Sequence, residues 1–114
     1  MKIKTSELSG VQLDWAVKQA IKKDGGYFLP SKNYKDISHA YSWAYGGPII
    51  EREKIGVWWA THYVDDEGQE YGNHWYAETA EGLVGYGPTP LIAAMRCFVA
   101  SKLGEEVEIP DGLA

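Results

Sequence analysis

Two short stretches place glycine and proline ahead of helical sequence, and both have the residue types of an anion site. Gly46-Gly47-Pro48 leads into Ile49-Ile50-Glu51, and Gly87-Pro88-Thr89-Pro90 leads into a long apolar run. Glycine lets another group approach the main chain closely. A helix N-terminus offers unpaired amides and a partial positive charge, which suits phosphate or carboxylate. Loop punctuation and helix capping are the structural alternative for the same residues. Neither stretch is a phosphate-loop or dinucleotide fingerprint, because the glycine spacing differs and no Gly-Lys-Ser/Thr follows.

Aromatic and cationic side chains complete the candidate set. Trp43, Tyr45, Trp58, Trp59 and Trp75 have the ring faces needed to stack on a base, or they fill a core or an interface. Arg96 interrupts the apolar run and, if buried, requires an anionic partner: an internal carboxylate or a ligand phosphate. Arg52 poses the same choice, with simple exposure as a third. The candidate ligand-binding residues are therefore Trp43, Tyr45, Gly46, Gly47, Pro48, Arg52, Thr89 and Arg96.

Other chemistry finds less support. His62 and His74 flank a turn carrying Asp65 and Asp66, but no third and fourth metal ligand has suitable spacing, and Asp65, Asp66, Glu67 and Glu70 lack calcium-loop spacing. The single cysteine, Cys97, lies inside the apolar run, where a thiol behaves as a small hydrophobe. No catalytic residue, metal or cofactor is assigned. A carboxylate pair for acid–base work is neither excluded nor located, since such pairs are defined in space.

The 114 residues, with 45% hydrophobic and 24% charged side chains, have the composition of one globular domain spanning 1–114. A net charge of -5 argues against direct nucleic-acid binding and against an anionic membrane surface. One cysteine implies no internal disulfide, the N-terminus has no secretory apolar segment, and nothing approaches the ~20 apolar residues of a membrane span. The expected location is the cytoplasm.

Two main helices are expected to position these groups. The first, about 9–23, starts at Ser9 with Gln12 completing a capping box and Leu8 and Leu13 forming a staple. Leu13, Ala16, Val17 and Ala20 make its apolar face, and Asp24-Gly25-Gly26 ends it. The second, about 89–103, has Thr89 as N-cap, Pro90 at N1 and Gly104 at its end, and is apolar nearly all round, as a helix buried between layers would be. A short helical turn is expected at about 48–54 and a short strand at Tyr27-Phe28-Leu29, with 31–42 as loop. Residues 55–64 and 73–79 alternate around a polar 65–70 turn and predict an antiparallel hairpin bulky on both faces. Residues 82–88 read as a glycine-rich connection and 105–114 as an acidic tail. The fold class is α+β: a central antiparallel hairpin or sheet packed on two main helices.

The blocks Ser9-Gly10, Leu13-Asp14-Trp15-Ala16-Val17, Trp43 through Glu51, Gly87 through Arg96 and Val99 through Gly104, with the acidic ending Glu105 to Pro110, resemble the NinX-like family of tailed bacteriophages. The resemblance implies a phage-encoded protein acting in the host bacterial cytoplasm and carries no particular reaction with it. By analogy with small phage accessory proteins, the leading expectation is a non-enzymatic homo-oligomer that sequesters a small nucleotide-derived ligand in counter-defence. The alternatives are a module that inhibits a host protein and a small hydrolase acting on a nucleotide signal.

Overall fold

The computed structural model describes residues 1–25 and 38–113. The expected strand at Tyr27-Phe28-Leu29 and most of the expected loop lie outside the described residues. The elements in chain order are β1 (Lys2–Lys4), a 3-10 turn (Thr5–Glu7), α1 (Gly10–Lys23), α2 (Trp43–Glu53), β2 (Gly56–Ala60), β3 (Tyr63–Val64), β4 (Glu70–Tyr71), β5 (His74–Glu78), β6 (Val84–Gly87), α3 (Pro90–Leu103), β7 (Glu106–Glu108) and a final 3-10 turn (Asp111–Leu113). The α+β class is as expected.

The apolar helix α3 is the middle layer. Leu91 through Met95 and Cys97 through Val99 are all buried. α1 and α2 cover one side of α3, and the antiparallel sheet β2-β5-β6 covers the other. The entry to α3 is as expected: the Thr89 hydroxyl accepts from the Ile92 amide at 3.1 Å, and Pro90 needs no donor at the first position.

The start of α1 is built differently from the expected capping box. Ser9 is the N-cap but makes no side-chain cap bond, and Gln12 instead donates to the Leu113 carbonyl. The Gly10 amide donates to the Tyr41 hydroxyl at 2.8 Å. Asp14 accepts from the Ser38 hydroxyl and the Ala40 amide, which ties residues 38–41 to α1. Leu8 and Leu13, the expected staple, are both fully buried.

α2 starts five residues earlier than the helical turn expected at about 48–54. Gly46, Gly47 and Pro48 therefore lie inside the helix and not before it. Pro48 cannot donate toward Ala44, but Ala44 is exposed, so water can satisfy its carbonyl. Gly47 has no Cβ to collide with the proline ring that follows. Gly46 serves packing: a Cβ there would run into the His39 carbonyl and approach Leu91 Cδ1 to 2.5 Å.

Two strands carry no ordinary sequence signal. β6, expected as a connection, pairs with β5 in register Trp75↔Gly87, Tyr76↔Tyr86, Ala77↔Gly85. Its inward positions are glycines because α3 lies directly on them. A Cβ on Gly85 would stand 2.6 Å from both the Ala93 carbonyl oxygen and the Cys97 nitrogen. The acidic tail contains β7, which pairs with β1 so that Lys2 faces Glu108, Ile3 faces Val107 and Lys4 faces Glu106. Val107 and Ile109 are buried.

The three described α-helices end in one place. Lys102, at the end of α3, reaches Glu53 at 2.9 Å and Asp24 at 3.6 Å, while Arg52 reaches Asp24 at 3.4 Å. The Lys23 ammonium donates to the Lys102 carbonyl. The Glu53 carboxylate raises Lys102 above its ordinary pKa.

Two outcomes follow. Gly46→Ala is expected to cost about 2 kcal/mol or more by overpacking, whereas Gly47→Ala, whose Cβ apart from its chain neighbours would meet only the Trp43 ring at 4.0 Å, is expected to cost less, and only through crowding against the Pro48 ring; urea denaturation measures both. Burial pushes the Cys97 thiol up to about 11. A thiol-specific reagent at neutral pH should label folded protein only as fast as it opens, and stability should fall as pH rises from the ordinary thiol range toward that value.

Candidate functional site

The sheet separates two sets of side chains. Toward α3 point Val57, Ala77 and Gly85, then Trp59, Trp75 and Gly87; away from it point Trp58, Tyr76 and Tyr86, with His74 opposite Ala60. Among the described elements, the helices cover the inner face alone. The hairpin is bulky on both faces, as its alternation predicts, and Trp59 on the inner face is 46% exposed, as much as Trp58 on the outer one.

The outer aromatics form a continuous group. Trp58 and Tyr76 have ring centroids 4.9 Å apart, Tyr76 and Tyr86 6.1 Å, and His74 and Tyr86 5.3 Å. Trp58 and Tyr86 are each 45% exposed. Beyond His74 the face is walled by the β3–β4 extension, whose turn is organised by Asp65 accepting from the Glu67 and Gln69 amides. Gly72, at φ +80°, returns the chain so close to Thr61 that no side chain fits. The result is a hollow of about 500 Å³ bounded by Thr61, Glu70, Tyr71, His74, Tyr76 and Tyr86.

A second concavity, about 340 Å³, lies beside β6, an edge strand, with Lys4, Ser6, Tyr86, Arg96, Glu105 and Glu106 among its lining residues. Arg96 crosses from α3 to reach it. Its Nε donates to the Leu8 carbonyl at 2.8 Å and its Nη1 to the Tyr86 carbonyl at 2.9 Å. The anionic partner expected for a buried Arg96 is thus replaced by two main-chain oxygens. Among the described residues neither Arg96 nor Lys4 is ion-paired to a carboxylate; the described pairs lie elsewhere. Burial lowers the Arg96 pKa, yet a guanidinium stays charged at any physiological pH.

The residues singled out from sequence are dispersed. Gly46 packs on Leu91, two positions after Thr89, so the start of α2 adjoins the start of α3. Trp43 and Tyr45, 55% and 42% exposed, belong to this end; Tyr45 also meets the buried His39 ring edge-on. Arg52 stands at the opposite end, already bridged to Asp24 and Glu53. Since α3 rises ~1.5 Å per residue, the two ends are about 20 Å apart. The correction to the start of α2 also removes the expected free amides at Gly47, and the Thr89 hydroxyl is occupied by its cap bond. Arg96 alone of the eight lines either concavity.

Sequence reasoning did not select Lys4, Ser6, Tyr76 or Tyr86. The alternation of 74–78 marks Tyr76 as opposite in face to Trp75, but its alignment with Tyr86 requires the β5–β6 pairing that the glycines conceal. His62 Nε2 lies 3.9 Å from a Glu70 oxygen, and His74 Nδ1 lies 2.9 Å from the Gly72 carbonyl. Among the described residues no three His, Cys, Asp or Glu side chains are grouped to hold a metal, and no helix is long and apolar enough to cross a membrane.

No curated protein matches the chain. The family described as bacteriophage P22, NinX matches residues 4–102, which include Lys4, Arg96, the three strands of the aromatic face, α1, α2 and all of α3 but its last residue. On that match, covering most of the sequence and agreeing with the blocks that carry the resemblance, the chain belongs to the phage NinX family.

Proposed function

We propose that this NinX-family protein binds a small anionic, nucleotide-derived ligand in the host bacterial cytoplasm and holds it without turnover, as a homo-oligomer that withdraws a defence signal. The observation that supports this most is the Arg96 guanidinium: partly desolvated, fixed by two carbonyls, without a carboxylate partner among the described residues and lining a groove that also contains Lys4. Fixed cations of this kind favour phosphate. Glu105 and Glu106 on the same groove suit the hydroxyls of a sugar, which donate hydrogen bonds that carboxylates accept. A groove with both signs of charge matches a nucleotide better than it matches a simple anion. The phage family supports a role inside an infected cell.

A second reading is favoured by the exposed Trp58 and Tyr86: aromatic residues are enriched where proteins meet, so the outer face suits a module that inhibits a host protein.

Calorimetry with cyclic dinucleotides and ADP-ribose derivatives tests the first reading. Binding of at least one, weakened about five-fold or more by Lys4→Glu, with the ligand recovered intact by chromatography, is the expected outcome. Absence of heat with all of them from folded protein would sink it, and recovery of a cleaved ligand would replace sequestration with hydrolysis.

A further inference from the structure

We infer that the hollow on the outer face of the sheet recognises a single amino-bearing nucleobase ring. The inference stands on the aromatic face and His74, and does not depend on the anionic reading of the Arg96 groove.

The ring geometry selects the shape of the occupant. Tyr76 and Tyr86 are inclined to each other by 26°, His74 and Tyr76 by 28°, Trp58 and Tyr76 by 40°, and His74 and Tyr86 by 48°. A cage for a compact cation needs ring faces that converge from different directions. The pairs that Tyr76 makes with Tyr86 and His74 are near parallel and are suited instead to extension by another flat ring. Tyr86 is exposed and borders the hollow, so its ring is accessible to such a partner.

The polar groups select the ring's chemistry. His74 Nδ1 lies 2.9 Å from the Gly72 carbonyl, which can only accept. That contact selects, for a neutral ring, the tautomer with its proton at Nδ1 and a lone pair at Nε2. Glu70 adds a carboxylate at the rim. Both are acceptors, and among the residues bounding the hollow none is Lys or Arg. The hydroxyls of Thr61, Tyr71, Tyr76 and Tyr86 also border the hollow and can donate or accept, so the two acceptors suit an occupant that carries N–H donors. The exocyclic amines of adenine, guanine and cytosine carry two N–H donors, one for each acceptor, whereas uridine has a single ring N–H and no amine. About 500 Å³ is ample for one base with its sugar. The chain's net charge of -5 favours a free small molecule over a polynucleotide as the source of the base.

Titration of the intact protein with adenosine, guanosine, cytidine and uridine, followed by NMR of the His74 imidazole and Trp58 indole signals, tests this. None of these probes carries phosphate. The expected result is saturable movement of both signals with at least one amino-bearing nucleoside, and uridine weakest. Tyr86→Ala should weaken binding about ten-fold, and thermal melting confirms that the variant is folded. His74→Phe keeps a ring but removes Nε2, and should erase the preference over uridine. Unmoved signals with all four nucleosides, or undiminished affinity in folded Tyr86→Ala, would overturn the inference. So would broadening of the two signals with protein concentration alone, which assigns the face to contact between copies. Tighter binding of a mixed single-stranded oligonucleotide than of any nucleoside would overturn the small-ligand assignment. Titration with inorganic pyrophosphate, comparing wild type with Lys4→Glu, reads the Arg96 groove separately, so failure of one site is distinguishable from failure of the other.

Discussion

The fold depends on how closely α3 approaches β6. At Gly85 the helix and strand main chains meet with no room for a methyl group. Side chains are removed from the inner face at this strand so that the helix can lie on it, and the helix answers with Ala93 and Cys97. An apolar helix needs cover on every side. Here it is supplied by backbone on one flank and by the aliphatic faces of α1 and α2 on the other. With β6 reduced to glycine inside, its bulk lies outside, in Val84 and Tyr86. The aromatic face is the counterpart of that close approach.

The same proximity explains Arg96. From α3 its side chain reaches the edge of β6 and takes up the Tyr86 carbonyl, while Leu8 supplies a second oxygen. Two carbonyl dipoles replace part of the water lost on burial without cancelling the charge. The contact also occupies a hydrogen-bonding group of the strand's open edge, a position where exposed strands otherwise recruit unwanted partners.

Much of the scaffold was legible in the sequence. Helical spacing from Leu13 to Ala20 and the Thr89-Pro90 entrance located α1 and α3, and period-two alternation located β2 and β5. What was hidden shares a cause. β6 has no inward side chains, so it shows no alternation. β7 is read as strand only when Glu106 and Glu108 are set against Lys4 and Lys2, a pairing across the whole chain. Gly46-Gly47-Pro48 looks like an interruption until the packing of Gly46 on Leu91 explains it. Of the candidate site, Arg96 could be marked as a charge in need of partners, but their identity is tertiary. The spread of Trp43, Arg52 and Thr89 to different ends of the helical layer likewise follows from helix directions, which local spacing does not encode.

The meeting of three helix C-termini at Asp24, Arg52, Glu53 and Lys102 gives the molecule an electrical polarity. Peptide dipoles leave partial negative charge where each helix ends. Three such ends in one place repel one another, and Lys23, Arg52 and Lys102 supply the opposing charge there. The helix starts face elsewhere, without a matching set of carboxylates among the described ion pairs. The first turns of α1, α2 and α3 carry no acidic side chain, so the partial positive charge of the helix starts is not offset by carboxylates of their own turns.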